Sequence, residues 1–317
     1  MPLGEQLKEF CSRCLGKRKT DELPEKPQTY IEHSAPENPE PDSPHRGRQT
    51  SPAPTSTDNS DVTQIGNAWS VDGVGIFDHR AVYTFHHGFP EGLQKSNYTL
   101  HQRGRGASPV VAFNPQYDPR NVHIVNGMLA LTVPGRQKPS QNSGWRLGCA
   151  QVETVADNIQ YGSVRTKAIF SQVPGTCHGL FFYQSDTQEV DIEYLTDPSS
   201  LSNNGPRNPI PMWYTNQAVN PADAPATQAT GPAPSDCTAA VHEYRIDWTP
   251  YYTAFYLDGK LQRKFTTNVP REPGSWIWNN WANGNKGWTC GPPKSENALL
   301  IKSIEMYYNT WPRSGSA

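Results

Sequence analysis

Three acidic residues at every second position mark the stretch Thr187 to Asp197, which reads TQEVDIEYLTD and carries Glu189, Asp191 and Glu193. In an extended strand successive side chains point to opposite faces, so the three carboxylates share one face while Val190, Ile192 and Tyr194 share the other. Like charges side by side repel, and bringing them toward a covered surface adds a desolvation cost. A strand that tolerates that cost has a use for it. At about 3.3 Å rise per residue the α-carbons of Glu189 and Glu193 stand roughly 13 Å apart, and inward-leaning side chains bring their carboxyl groups to about 5 to 6 Å. That separation suits a retaining glycosidic displacement, in which one carboxylate attacks the sugar carbon and the other protonates the departing oxygen. Asp191 lies between them, where its charge resists ionisation of the set and keeps the acid/base protonated; the three titrate as a coupled group. A calcium site is the competing reading, because hard cations take clustered carboxylate oxygens. Calcium loops use Gly and Asn as spacers, whereas Val190 and Ile192 stand in those places here.

The rest of the chain must position such a strand. With 317 residues there is room for one large domain or two ordinary ones. The formal net charge of -2 gives no reason to expect nucleic acid or an anionic membrane as partner. Abundant glycine (25), proline (30), tryptophan (9) and tyrosine (14) favour strands joined by turns, so the body is expected to be all-β. No run of about 18 apolar residues occurs, so no transmembrane segment is expected, and the opening MPLGEQLKEFCSRCLGKRKT lacks the apolar segment of a secretory signal. Besides Cys11 and Cys14 there are Cys149, Cys177, Cys237 and Cys290, which admit any of three pairings or four buried thiols.

Residues 1–60 are expected to form a disordered, proline-rich tail ahead of a catalytic domain at 61–317: from Asp21 to Asn59 there are too few apolar anchors to offset ordering entropy. Before it, Leu3, Leu7, Phe10 and Leu15 suit a short amphipathic helix holding CSRC, which reads as half a zinc knuckle, a thiol pair, a lipidated anchor or a frayed end. In the body, RAVYTFHHGF (80–89) reads as a strand, and NVHIVNGMLALTVPG (121–135) as a hairpin turning at Asn126-Gly127. YGSVRTKAIF (161–170) alternates as a strand with one covered face. Residues 199–236, with seven prolines between Pro206 and Pro234, read as a long loop or pair of loops that includes PMWYTNQ. HEYRIDWTPYYTAFYLDGKLQRKF (242–265) holds two strands with a DG turn at Asp258-Gly259; SWIWNNWANGNKGW (275–288) and ALLIKSIEMYYNTW (298–311) follow as strands. Without helical spacers, this order points to an antiparallel sandwich.

The stretch QEVDIEYL resembles the E-x-D-x-E signature of glycoside hydrolase family 16, and the chain is read as a fungal-type member. YGSVRTKAIFSQVPGTCHGLFFY is similar to that family's lead-in to the acids, HEYRIDWTPYYTAFYLDGKL to its H-x-Y-x-x-x-W and DG hairpin, and NNWANG to its N-x-W-x-x-G strand. The resemblance covers roughly Trp69 to Trp311. It implies a β-jelly-roll sandwich of two antiparallel sheets with a concave cleft, in the concanavalin A-like superfamily. It also implies Glu189 as nucleophile, Glu193 as general acid/base and Asp191 as the helper between them. Sugar-binding residues are expected at Trp281, Asn279 and Asn283, with Trp213 and His178 as further candidates, because aromatic faces stack on pyranose C–H edges. Trp248, Trp276 and Trp278 are expected in the core.

Gln188 and Thr187 depart from the Asp and Trp that many members carry before the nucleophile, which leaves the substrate class open. No bulge-making extra residue interrupts the signature, so a regular strand is implied. The expected activity is retaining, endo-acting hydrolysis of a β-1,3/1,4-linked glucan. A transglycosylase of the same family, or a carbohydrate-binding protein of the same fold without catalysis, is the alternative. The expected partner is a polysaccharide, the protein a monomer, and no cofactor is expected, with a structural calcium left open. The family is usually secreted or in the cell wall; the sequon Asn97-Tyr98-Thr99 is the one feature of the sequence in keeping with that route.

Overall fold

The computed structural model describes residues 61–103, 111–203, 205 and 209–312. The expected tail at 1–60, with Cys11, Cys14 and the short amphipathic stretch, lies outside the described residues. Among the described residues there are twenty strands and two single 3-10 turns, Pro119–Asn121 and Gln141–Ser143. In chain order the strands are β1 (Val62–Ile65), β2 (Ala68–Val71), β3 (Gly75–Phe77), β4 (His79–Thr84), β5 (Leu93–Lys95), β6 (Tyr98–Thr99), β7 (Asn114–Tyr117), β8 (Val122–Val125), β9 (Met128–Val133) and β10 (Arg146–Thr154). They continue as β11 (Ile159–Ile169), β12 (Cys177–Ser185), β13 (Gln188–Leu195), β14 (Pro211–Asn216), β15 (Thr227–Pro232), β16 (His242–Trp248), β17 (Thr253–Leu257), β18 (Lys260–Phe265), β19 (Ser275–Trp281) and β20 (Asn297–Thr310).

These strands form two large sheets and one small one. The first runs β15-β14-β13-β12-β19-β10-β7-β6 with β5 also on β10; the second runs β18-β17-β16-β11-β20-β9-β8 with β4 also on β20; β1, β2 and β3 pair among themselves. Every pairing is antiparallel except one: β7 lies parallel to β10, a departure from the wholly antiparallel sandwich expected. The two hairpins anticipated from NG and DG are present. Asn126 (φ 51°) with Gly127 (φ 74°), and Asp258 (φ 48°) with Gly259 (φ 72°), adopt the paired positive φ that a two-residue hairpin turn requires.

Residues 199–236 are not simply loops. They contain β14 and β15, which extend the first sheet beyond the acid strand. Proline was read there as a breaker, yet Pro211 opens β14 and Pro232 closes β15, an edge strand; both are places where a strand dispenses with the missing N–H.

The main core lies between the two sheets. Val190 and Ile192 of β13 meet Leu180 and Phe182 of β12, Trp276 and Trp278 of β19, and Val164, Ile246, Trp248 and Ile304 from the second sheet. Phe182 and Trp248 have ring centroids 3.9 Å apart across that interface. The tryptophans expected in the core are therefore there. The outer face of the second sheet is also covered where one open face was expected. Asp61 Oδ2 pairs with Arg165 Nη2 at 2.8 Å and Arg245 Nη1 at 2.5 Å, Arg245 is further held by Asp247, and Trp69 of the small sheet packs on Tyr307. The guanidinium groups of Arg165 and Arg245 are thus neutralised on that face by two carboxylates, Asp61 and Asp247.

Candidate active site

The acid strand β13 pairs in regular steps with β12 on one side and β14 on the other. Glu189 stands across from Tyr183, Asp191 across from Phe181 and Thr215, and Glu193 across from Gly179 and Trp213. The only register shift in the β12–β13 pair falls between Tyr183 and Ser185, at the hairpin end, so the acid signature itself is an unbulged strand. Directly paired residues share a face. The three carboxylates therefore lie on one side with Tyr183, Phe181, Gly179 and Cys177 of β12 and with Ile277, Asn279 and Trp281 of β19. A second apolar cluster forms the floor of that face and includes Cys177, Phe181, Tyr183, Ile277, Trp281 and Trp288, with Trp213 against it.

Burial separates the three acids. Glu189 and Asp191 are buried, whereas Glu193 keeps partial access to solvent. Gln217 Nε2 donates to Asp191 Oδ2 at 3.2 Å, and the Gln217 backbone N–H donates to the Glu189 carbonyl at 3.1 Å, so the residue after β14 ties two of the acids together. Two donors reach Glu193 Oε1: the Cys177 thiol at 3.1 Å and the Trp288 indole N–H at 3.3 Å. Desolvation raises the pKa of Asp191, and the charge of Glu193 adds to the rise, against hydrogen bonds with Glu189 and Gln217. Desolvation likewise raises Glu193, opposed by its bonds from Cys177 and Trp288. Two carboxyls held toward their neutral forms beside a third make a set that can store and release a proton above the ordinary carboxylate range.

The expected sugar contacts divide. Trp281 and Asn279 fall on the acid face, as alternation implied, with Asn279 Nδ2 donating to Tyr117 Oη at 3.3 Å. A Cβ at Gly179 would lie 2.6 Å from Asn279 Oδ1, so the glycine is what lets Asn279 cross toward Glu193. Trp213 is on this face too, with its ring centroid 5.2 Å from that of Trp288. The indole N–H of Trp213, the Thr215 hydroxyl, the Ser275 hydroxyl and Asn279 Oδ1 find no hydrogen-bond partner among the described residues. Polar atoms on a face of this kind are ones a sugar hydroxyl or water can satisfy.

His178 and Asn283 are corrections. His178 pairs with Tyr194 and Asn280, one residue out of step with the acids, and so points into the sandwich core. There it bonds Asn297 Oδ1 at 2.9 Å and packs near Phe170, and burial holds its pKa down to about 4. Asn283 lies beyond the end of β19, which stops at Trp281, so strand alternation does not reach it. Its side chain is committed to Gln102, to the Asn285 N–H at 3.0 Å and to the Thr289 hydroxyl at 2.9 Å. Asn283 thus shapes the turn that carries Trp288 to Glu193 rather than meeting a ligand. Trp288, Gln217 and Cys177 went unnoticed in the sequence because each reaches the acids from another strand or loop. All four cysteines described, Cys149, Cys177, Cys237 and Cys290, are free thiols.

A fourth carboxyl shares the face. Glu153 of β10 stands across from Ile277, bonds Gln94 Nε2 at 3.2 Å, and is pushed by burial up to about 7. Its folded pKa lies above the unfolded value near 4.5, so the folded state holds the proton longer and stability declines as pH rises through that interval. Glu153→Gln is expected to be close to wild type in urea denaturation at pH 4.5 and more stable by up to about 3 kcal/mol at pH 8. Equal midpoints for the two proteins at both pH values would contradict this.

Comparison with known proteins agrees with the architecture. The family model Glycosyl hydrolases family 16 matches residues 110–291. A β-glucanase of Paenibacillus polymyxa is 27% identical over 202 residues, covering 61% of this chain and 75% of that protein, and a β-glucanase of Bacillus amyloliquefaciens matches to the same extent. Among solved structures, a prokaryotic β-1,3-1,4-glucanase (lichenase) from a mouse hindgut metagenome superposes with a TM-score of 0.56 at 18% identity, covering 73% of this chain and 99% of that one. The endo-β-1,3-glucanase of Pyrococcus furiosus gives 0.54 at 14% identity, over 79% and 99% of the two chains. These relatives are prokaryotic, and they lend no support to a fungal-type reading.

Proposed function

The chain belongs to glycosyl hydrolase family 16, and on that footing we propose that it is a retaining, endo-acting hydrolase of β-1,3/1,4-linked glucan with Glu189 as nucleophile and Glu193 as acid/base. Support comes first from one observation: three carboxylates on a single strand face, the two outer ones separated by a third whose ionisation burial opposes. In this reading Glu193 gives its proton to the departing glycosidic oxygen while Glu189 bonds to the anomeric carbon. Glu193 then takes a proton from the water that releases the sugar. Asp191, hydrogen-bonded to Glu189 and Gln217, holds the nucleophile and damps charge build-up between the two. The partial exposure of Glu193 suits a group that must exchange protons with water in every cycle.

Trp281, Asn279 and Trp213 are assigned to the sugar, on the strength of their shared face. Because Trp213, Trp281 and Trp288 cluster at the Glu193 end, where the leaving sugar departs, an acceptor sugar would find stacking surfaces there. Transfer to a second sugar is accordingly the second reading. The catalytic unit is proposed to occupy 61–317, with residues 1–60 as a separate tail. The test is proton NMR of the first products from mixed-linkage β-glucan and from β-1,3-glucan. New reducing ends that appear first as the β-anomer support the mechanism, and a first-formed α-anomer overturns it. Binding without hydrolysis or transfer on any β-glucan would instead favour a non-catalytic carbohydrate-binding role.

A further inference from the structure

Both hydrogen bonds that Glu193 accepts from neighbouring strands and loops fall on the same oxygen, Oε1, and they come from opposite sides. Cys177 approaches from β12, where its neighbour Gly179 pairs with Glu193. Trp288 approaches from the turn after β19, which is fixed by Trp288 N–H to the Asn285 carbonyl at 3.0 Å, Gly287 N–H to Asn285 Oδ1 at 2.8 Å and the Asn283 bonds already described. The ring of Trp288 is further seated against Trp213. A carboxyl gripped at one oxygen by two donors cannot keep its proton there, since a protonated Oε1 is a poor acceptor.

We propose that Cys177 and Trp288 are positioning residues that hold Oε1 of Glu193, so that the proton delivered to the glycosidic oxygen resides on Oε2. The inference rests on the catalytic reading of Glu193 given above. In the reaction the glycosidic C–O bond breaks as the bond from the anomeric carbon to Glu189 forms, and the Oε2 proton passes to the leaving oxygen. Oε1 stays tethered throughout. The ionised Glu193 that results is stabilised by the same two donors until water returns a proton.

Among the described residues, Asp191 lies beside Glu193 on its own strand with Glu189 farther along the same face, Cys177 faces it from β12, Trp213 from β14 and Trp288 from the turn. Lys286, on the same turn as Trp288, acts on the Cys290 thiol. A hydrogen bond to the ionised carboxylate lowers its pKa, so losing a donor raises it and moves the alkaline limb of kcat/KM to higher pH.

The variants are Cys177→Val, which keeps an apolar side chain but removes the donor, Cys177→Ser, which restores one, and Trp288→Phe, which keeps a ring against Trp213. On mixed-linkage β-glucan, Cys177→Val and Trp288→Phe are expected to shift the alkaline limb upward and lower kcat by about three- to tenfold with KM little changed. Cys177→Ser returns the limb toward wild type. A purely packing role would lower the melting temperature of Cys177→Val and leave the limb in place, which overturns the proposal. An independent reading needs no glucan: measured above the alkaline limb, where Glu193 is ionised, the infrared S–H stretch of Cys177, isolated by subtracting the Cys177→Val spectrum, should move to higher frequency in Glu193→Gln as an amide oxygen replaces the stronger carboxylate acceptor. An unmoved band overturns the proposal as well. A band that moves in a protein with no action on any β-glucan would support the tether and refute the catalytic reading, so the two can fail separately.

Discussion

Glu189→Ala is expected to lower kcat/KM on β-glucan by on the order of 10^4-fold, about 5.5 kcal/mol of lost transition-state stabilisation, with the fold retained. The size follows from the role proposed for the residue. Without its carboxylate no covalent intermediate forms, and the other carboxyls described on that face are held elsewhere: Asp191 is tied to Gln217, Glu193 to Cys177 and Trp288, and Glu153 to Gln94. Misfolding is separable from loss of chemistry, because removing one of three neighbouring carboxylates relieves repulsion and leaves the melting temperature equal or higher. Glu189 is almost fully buried, so its truncation opens a small void on the side of the sugar that it would attack. Azide entering that void would displace an activated leaving group directly and give an α-glycosyl azide. Full activity in this variant, or a β-glycosyl azide from it, would remove Glu189 from the nucleophile's place.

Glu193→Ala should behave in the opposite way with respect to the leaving group. On the polysaccharide, whose leaving oxygen needs a proton, kcat/KM is expected to drop by roughly 10^2- to 10^4-fold. On an aryl glycoside with an acidic phenol the first step needs no proton, so most of the rate of glycosylation should survive. The covalent intermediate then accumulates for want of a base, and added azide releases it as a β-glycosyl azide. The pH dependence carries a second signature. Desolvation raises the pKa of Glu193 above that of an ordinary glutamate, so the wild type keeps its proton donor to higher pH than a solvent-exposed glutamate would and loses activity as pH rises through that raised pKa. That alkaline limb should vanish in Glu193→Ala with the aryl substrate. A limb that persists unchanged would assign the titration to the other member of the coupled pair, Asp191.

The acids, their shared face and the two hairpins were legible because each depends on local rules. Strand alternation fixes which side Glu189, Asp191 and Glu193 take, and NG or DG fixes a two-residue turn. What depended on register was not legible. His178 lies in the same strand as Gly179 and Cys177, and only the pairing of β12 with β13 shows that 177 and 179 face the acids while 178 faces the core. The same pairing brings Cys177 to Glu193 across 16 residues, and the turn after β19 brings Trp288 across 95, spacings that carry no periodic signal. Strands β14 and β15 were hidden by prolines that sit at their ends rather than within them. The cover over Arg165 and Arg245 was hidden for another reason: charged residues imply solvent unless their partner is known, and Asp61 lies 104 and 184 residues away.

The pairing of β13 places neighbouring residues of one strand in separate compartments. Val190 and Ile192 answer to the volume available between the sheets, and Glu189, Asp191 and Glu193 answer to charge and proton position. Robustness and reactivity are thus written into alternate letters of the same short word. Heat tolerance can be sought by repacking the even positions and proton affinity by altering the odd ones and what touches them, with neither change obliging the other.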